Sequence, residues 1–255
     1  MGSRQKRRPS VYTLSLYVLA AFFMPAFSAV PGAQAFRVPE RLVYDLTWGG
    51  IKTGTATLDI REEGGLTRIV STARSVPWVS FLYTVNDRVE ADLSAAGRGT
   101  LGSPRRYRVS IREGRYKRER EISFDRSGRK AVSTDYLSGE RKEIAVAGRV
   151  FDPLSGFYHF RMVKAEPGKS VYVPLIDGKK VRDVEVQVIR RERVSTKVGD
   201  FDTIMIRPLM KSEGIFNRRG DMFIWLTDDE KRIPVQVRTK VSLGRVTATL
   251  AGGDY

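Results

Sequence analysis

The chain has 255 residues, with 45 Lys and Arg against 29 Asp and Glu, a formal net charge of +16 at pH 7, one histidine and no cysteine. Without cysteine there are no disulfides and no thiol chemistry. With His159 as the single imidazole, nearly all zinc, haem and iron–sulfur sites are excluded, because their ligands come mostly from those two residue types. An oxygen-ligated calcium site stays open to such a sequence, yet no Asp-x-Asp-x-Asp-Gly loop is present, and no metal or cofactor is predicted.

The first 35 residues read as an address. Arg4, Lys6, Arg7 and Arg8 form a positive start, Val11 to Val30 is almost wholly apolar, and Ala33-Gln34-Ala35 is a small-x-small cleavage site. The pattern predicts a secretory signal peptide over residues 1–35, cut after Ala35, and a periplasmic protein that begins at Phe36. The competing reading is an inner-membrane anchor over residues 11–30, since that stretch is about the ~20 residues a bilayer crossing needs. Pro25 and the Ala-Gln-Ala site favour removal. Residues 36–255 then form one domain, with no Pro/Ser/Gly-rich linker inside it. Cleavage removes four basic residues and no acidic one, so the mature chain carries +12. Basic domains often meet nucleic acid, but export turns the charge toward anionic lipid headgroups and phosphorylated glycolipids of the envelope. No nucleic-acid partner is expected.

Past Phe36 the dominant signal is period-two alternation in short runs ended by Gly, Asp or Pro. Leu42, Tyr44, Leu46 and Trp48 share one face of a first strand, Gly49-Gly50 permits a turn, and Ala56, Leu58 and Ile60 follow on the next. Further strands are predicted at Thr67 to Ser75, Phe81 to Leu93, Arg106 to Arg112, Lys117 to Phe124 and Lys130 to Tyr136. Asp177-Gly178 between Val171 to Ile176 and Val181 to Arg190 is a strong hairpin signal. Later runs lie at Phe201 to Pro208, Asp221 to Leu226, Pro234 to Leu243 and Arg245 to Leu250, about a dozen strands in all. One segment breaks the pattern. Asp152 is an N-cap before Pro153, and Leu154, Phe157, Tyr158 and Met162 recur at helical spacing, which predicts a helix from Pro153 to about Lys164. These elements predict an all-β fold: a large, strongly curved antiparallel sheet or incomplete β-barrel with one central α-helix packed on it or plugging its mouth.

Chemistry-bearing groups are few. Asp152, Ser155 and His159 share a helix face, but neighbours on one helix project side by side, whereas a working triad is assembled in a line from separate elements. Capping accounts for Asp152 and Ser155 more simply, and no catalytic residue is assigned. The run from Arg105 to Arg120 holds Arg105, Arg106, Arg108, Arg112, Arg115, Lys117, Arg118 and Arg120 against Glu113 and Glu119. Across a turn near Gly114, Arg106, Arg108 and Arg112 would share a face with Lys117 or its neighbours, depending on register. Such a stripe suits phosphate or carboxylate, or it is a solvated face that discourages aggregation. Finally, Trp225 to Val235 reads as a strand, a polar turn and a proline-opened strand, in which Asp228 and Arg232 bracket the turn and either brace it or hold a ligand.

That last stretch, with Gly199-Asp200-Phe201, the helix start from Asp152 to Arg161 and the opening Leu42-x-Tyr44-x-Leu46-x-Trp48-Gly49, resembles the exported bacterial family called domain of unknown function 3108, from about Arg41 to Leu250. The resemblance implies a secreted or periplasmic protein, rich in antiparallel strands, with no assigned activity. Its landmarks here are Trp48, Asp152, Arg161, Gly199, Phe201, Trp225, Asp228, Arg232 and Pro234. The functional expectation is a non-enzymatic binding or chaperone-like protein for an apolar, anionic envelope lipid or glycolipid held against the concave sheet. The alternative is a scaffold that docks onto another envelope protein through a sheet edge or the basic stripe. Peripheral contact with a membrane would suit either. An enzyme would have to be a carboxylate-only glycan hydrolase using members of Asp152, Asp221, Asp228 and Asp229. An open apolar interior selects carriage; a packed one selects scaffolding.

Overall fold

The alternating runs become strands along almost their whole length. In the computed structural model, which describes residues 36–96, 100–125, 127, 129–209, 222–241 and 244–255, the first half holds β1 (Glu40–Trp48), β2 (Ile51–Glu63), β3 (Leu66–Ser75), α1 (Pro77–Leu82), β4 (Asn86–Ser94), β5 (Pro104–Glu113), β6 (Tyr116–Phe124), β7 (Lys130–Asp135) and β8 (Arg141–Ala145). The second holds α2 (Pro153–Arg161), β9 (Ser170–Ile176), β10 (Val181–Thr196), β11 (Gly199–Pro208), β12 (Met222–Thr227), β13 (Pro234–Val241) and β14 (Gly244–Asp254). The signal-peptide and anchor readings fall on residues 1–35 and lie outside the described residues, as does Asp221.

All strands belong to one antiparallel sheet, ordered β8-β7-β6-β5-β4-β3-β2-β1-β14-β13-β12-β11-β10-β9. The first and last strands are neighbours in its middle, with Leu46 opposite Ala248. From that seam the two halves of the chain run outward as meanders. Each hairpin is local, which is why alternation and turn glycines place it: Gly49 and Gly50 adopt φ of 57° and 85°, the left-handed geometry a two-residue turn requires. Parity then sorts the connections. Every odd strand ends, and every even one begins, on one rim of the sheet, which carries α1. Every even strand ends, and every odd one begins, on the other rim, which carries α2.

The sheet does not close. Instead of a β8–β9 ladder, the gap between its edges is packed by side chains, with Ile122, Ala131 and Ile144 from β6 to β8 meeting Ile176 of β9 and Val181 of β10. Both edges are blunted. Four of the five residues of β8 are exposed, three of them charged, and β9 carries Pro174 while Phe151 bridges to it through Phe151 N–H to Pro174 O and Ile176 N–H to Phe151 O, each 2.9 Å. The interior is occupied by the chain itself. Tyr158 of α2 packs among Leu42, Ile60, Ile69 and Leu93, while Phe160 and Phe151 pack with Val173, Val188, Ile204 and Leu226. Phe36, where a mature chain would begin, is already buried against Tyr158, the ring centroids 4.9 Å apart.

Several expectations are corrected. The segment Phe81 to Leu93 is not a single strand: Pro77 starts a helical turn that includes Phe81 and Leu82, and β4 begins only at Asn86. Among the described residues there are therefore two helices, and α2 ends at Arg161 rather than near Lys164, the next residue Met162 closing it with N–H bonds to His159 and Phe160. The short strand β8 was not expected, because only Ile144 of its five residues is buried and a single apolar position leaves no alternation. β10 runs on to Thr196, and the turn after it swings back so far that Lys197 Nζ reaches Asp45 of β1 at 2.5 Å.

Candidate functional site

A buried ion pair lies where α2 meets the sheet. Arg161 is 1 % exposed and its guanidinium donates to both oxygens of Glu40, at 2.7 and 2.8 Å, and to the carbonyl of Lys231 at 3.0 Å. Tyr158 Oη donates to the same carboxylate at 3.2 Å, and the guanidinium lies over the rings of Phe36 and Tyr158. Burial works against the positive charge; the Glu40 carboxylate more than offsets it, leaving the pKa of Arg161 above its ordinary value. One pair thus ties the helix to the first residue of β1 and to the β12–β13 turn. Sequence reasoning named Arg161 as a landmark but had no signal for its partner.

At the other end of α2, Asp152 Oδ1 accepts from the N–H groups of Leu154 and Ser155 at 2.9 and 3.0 Å, and Ser155 Oγ donates to Oδ2 at 2.6 Å. Asp152 N–H in turn donates to Ser155 Oγ at 3.1 Å, completing a capping box. Complete burial pushes the carboxyl up to about 6 despite these bonds. His159 instead stacks on Phe151, with centroids 4.4 Å apart. The helix-face trio is an N-terminal cap and a packed ring.

The basic run is divided by the register of β5 and β6. Arg106 faces Ser123, Arg108 faces Glu121 and Arg112 faces Lys117 on the outer surface, whereas Arg118 pairs with Ile111 and turns inward. Arg106 is held at 2.8 Å by Asp92, Arg105 is half-buried, and Arg108, Arg112 and Lys117 are exposed. Arg118, expected in the stripe, is buried and so is corrected out of it. The Asp228–Arg232 pair also loosens: their closest approach is 4.0 Å, while Asp228 meets Arg191 at 2.6 Å. The turn is braced by Asp229, whose Oδ1 accepts from Thr227 Oγ1 at 2.6 Å and from the N–H groups of Lys231 and Arg232 at 3.0 Å.

What the sequence did not bring together is the α1 rim. Trp78, Phe81, Leu82 and Tyr83 are all exposed there, Phe81 to 89 % and Leu82 to 79 %, and no residue of α1 is buried. Trp48 and Ile51 flank the β1–β2 turn of this rim, Tyr116 follows the β5–β6 turn, Tyr136 and Leu137 lie in the β7–β8 turn, and Leu209 follows β11. Among the described residues two further exposed large hydrophobics, Tyr172 and Val198, lie elsewhere. Below α1, Asp87 meets Glu113 and accepts from Arg112 N–H at 3.0 Å; burial raises its pKa. Among the described residues no group of three or more His, Asp or Glu is arranged to hold a metal, and no helix is long and apolar enough to cross a membrane.

A family model described as a protein of unknown function, DUF3108, matches residues 43–251. The chain belongs to the DUF3108 family. No curated protein matches it. Among solved structures, this DUF3108 chain is similar to a β-barrel-like protein of the DUF1849 family from Brucella abortus, at 12 % identity and a TM-score of 0.51, covering 86 % of this chain and 98 % of that one. That likeness supports the barrel-like fold. A hypothetical protein from Chlamydia trachomatis (8 % identity, TM-score 0.37, 86 % and 88 % covered) and a Bacteroides fragilis protein with a YmcC-like fold (12 %, 0.36, 86 % and 97 %) are more distant.

The landmarks of the DUF3108 chain are mostly structural. Gly199 turns β10 into β11 at φ 136°, with Thr196 Oγ1 donating to its carbonyl at 2.9 Å. Trp225 donates from Nε1 to Glu192 at 2.5 Å beneath the Arg238 guanidinium, and the Pro234 carbonyl accepts from Tyr44 Oη at 2.8 Å.

Proposed function

We propose that this DUF3108 protein is a non-enzymatic, exported protein of the periplasm that works by surface contact, docking its basic exterior onto an anionic component of the envelope. The observation that carries this reading is the filled interior. The space in which a carried lipid or glycolipid would sit is taken by α2, locked by Arg161 and Glu40. What the protein offers a partner is its exterior: a mature charge of +12 and the exposed cations Arg108, Arg112 and Lys117.

Other routes have less support. Strand addition needs an open edge, and β8 presents charged side chains while Phe151 already bonds to β9. Glycoside hydrolysis needs two carboxyls roughly 5–10 Å apart across a cleft, and Asp152, Asp228 and Asp229 are each committed to a cap, an ion pair or a turn. Fractionation tests the reading. The protein should sediment with envelope membranes at low salt and be released at high salt, because exposed charges are screened. Arg108→Glu, Arg112→Glu and Lys117→Glu together should release it at lower salt without moving the thermal midpoint. Salt-independent fractionation, identical in the triple variant, would overturn the proposal.

A further inference from the structure

We infer that the α1 rim is a membrane-interface anchor that seats on an anionic phospholipid bilayer, an inference that rests on the surface-docking reading and names its partner. Most of the large hydrophobic side chains exposed among the described residues gather on this rim, although they come from separate turns. Apolar surface distributed around a rim fits a plane rather than a groove.

The α1 turn is built to hold its apolar groups out. Its base is fixed by polar bonds: Ser75 and Ser80 hydroxyls meet at 2.6 Å, Val85 N–H donates to Ser75 Oγ at 2.9 Å, and Thr84 Oγ1 donates to the Ser80 carbonyl at 3.0 Å. The Tyr83 ring sits so close to Gly114 that a Cβ there would come within 2.7 Å of it. On this fixed base Trp78, Phe81 and Leu82 point outward, the residue types that enter the headgroup boundary. Charge selects the lipid. Arg112 and Lys117 stand directly opposite each other, with Arg115 in the turn between them, an arrangement that repels itself unless an anion neutralises it. Lys179, Lys180 and Lys240 add exposed cations on the same rim. A negatively charged surface satisfies both features at once, whereas a second copy would bring two like-charged rims together.

The test uses the exported protein as the cell produces it, in wild-type form, as Phe81→Ser/Leu82→Ser and as Lys117→Glu/Arg115→Glu, with vesicles of phosphatidylcholine alone or mixed with phosphatidylglycerol. Wild type should co-sediment with the anionic vesicles roughly tenfold or more better than with the zwitterionic ones. Each double variant should lose about that factor at an unchanged thermal midpoint, and tryptophan emission should shift to the blue on binding in the wild type. Equal partition of all three proteins, or no preference for the anionic lipid, would overturn the anchor. So would a concentration-dependent dimer that Phe81→Ser/Leu82→Ser abolishes, because a second copy would then be the occupant. If the rim variants bind vesicles like wild type while Arg108→Glu still weakens envelope association, the anchor fails and the surface-docking reading stands. Lipid found inside the purified protein would instead sink that reading.

Discussion

Arg161 and Glu40 are 121 positions apart and form a bidentate pair out of reach of water. Such a pair adds little net stability over apolar residues of the same shape, yet breaking it leaves an uncompensated buried charge. Glu40→Gln or Arg161→Met alone should therefore cost about 3–5 kcal/mol in urea unfolding. Combining Arg161→Met with Glu40→Leu should recover most of that loss; singles that cost no more than a surface substitution would contradict the lock. Asp152 makes stability depend on pH, with a definite sign. Its carboxyl lies at about 6 in the folded protein against 3.8 as the ordinary value, so the favourable contribution is complete below pH 4 and is lost as pH rises through 6. The difference between 3.8 and about 6 corresponds to about 3 kcal/mol. The stability of wild type relative to Asp152→Asn should fall by up to that amount between pH 4 and 7, and parallel stability curves would show that Asp152 is not buried as a carboxyl.

The two helices do opposite things with their apolar residues. α2 turns them in, and Gly156 lets it approach β9 so closely that a Cβ would lie 2.3 Å from Leu175. Gly156→Leu should lower stability by about 1–3 kcal/mol through overpacking, read from the urea midpoint. α1 turns them out, so Trp78→Ser/Phe81→Ser/Leu82→Ser should leave that midpoint within about 0.5 kcal/mol, as for other exposed positions; a large loss would mean that α1 packs on the core. The contrast explains what was legible. Asp152-Pro153 followed by apolar residues at helical spacing is an unambiguous helix start. Pro77 to Tyr83 is short and mostly apolar, with Ser80 its one polar side chain and no side-chain cap, and its end from Phe81 reads as the start of a strand. In the basic run the turn at Gly114 was legible, but not the inward side chain of Arg118, since alternation alone does not predict a cation on the buried face.

At the scale of the molecule the meander was legible because every hairpin is local, and turn residues mark all of its strands but β8, whose single buried residue leaves no alternation. What was not legible is non-local: β1 beside β14, the side-chain seam in place of a β8–β9 ladder, and the reach of Lys197 to Asp45. The candidate rim is of the same kind. Its aromatic residues are unexceptional one by one, and only the parity of the connections collects them at one end. The filled interior remains the claim on which the functional reading depends, and native mass spectrometry of the protein purified from the envelope addresses it most directly. The account predicts the mass of the bare chain, with no lipid or glycolipid retained in the gas phase. A bound apolar molecule at one per chain, held until the protein is unfolded, would contradict it.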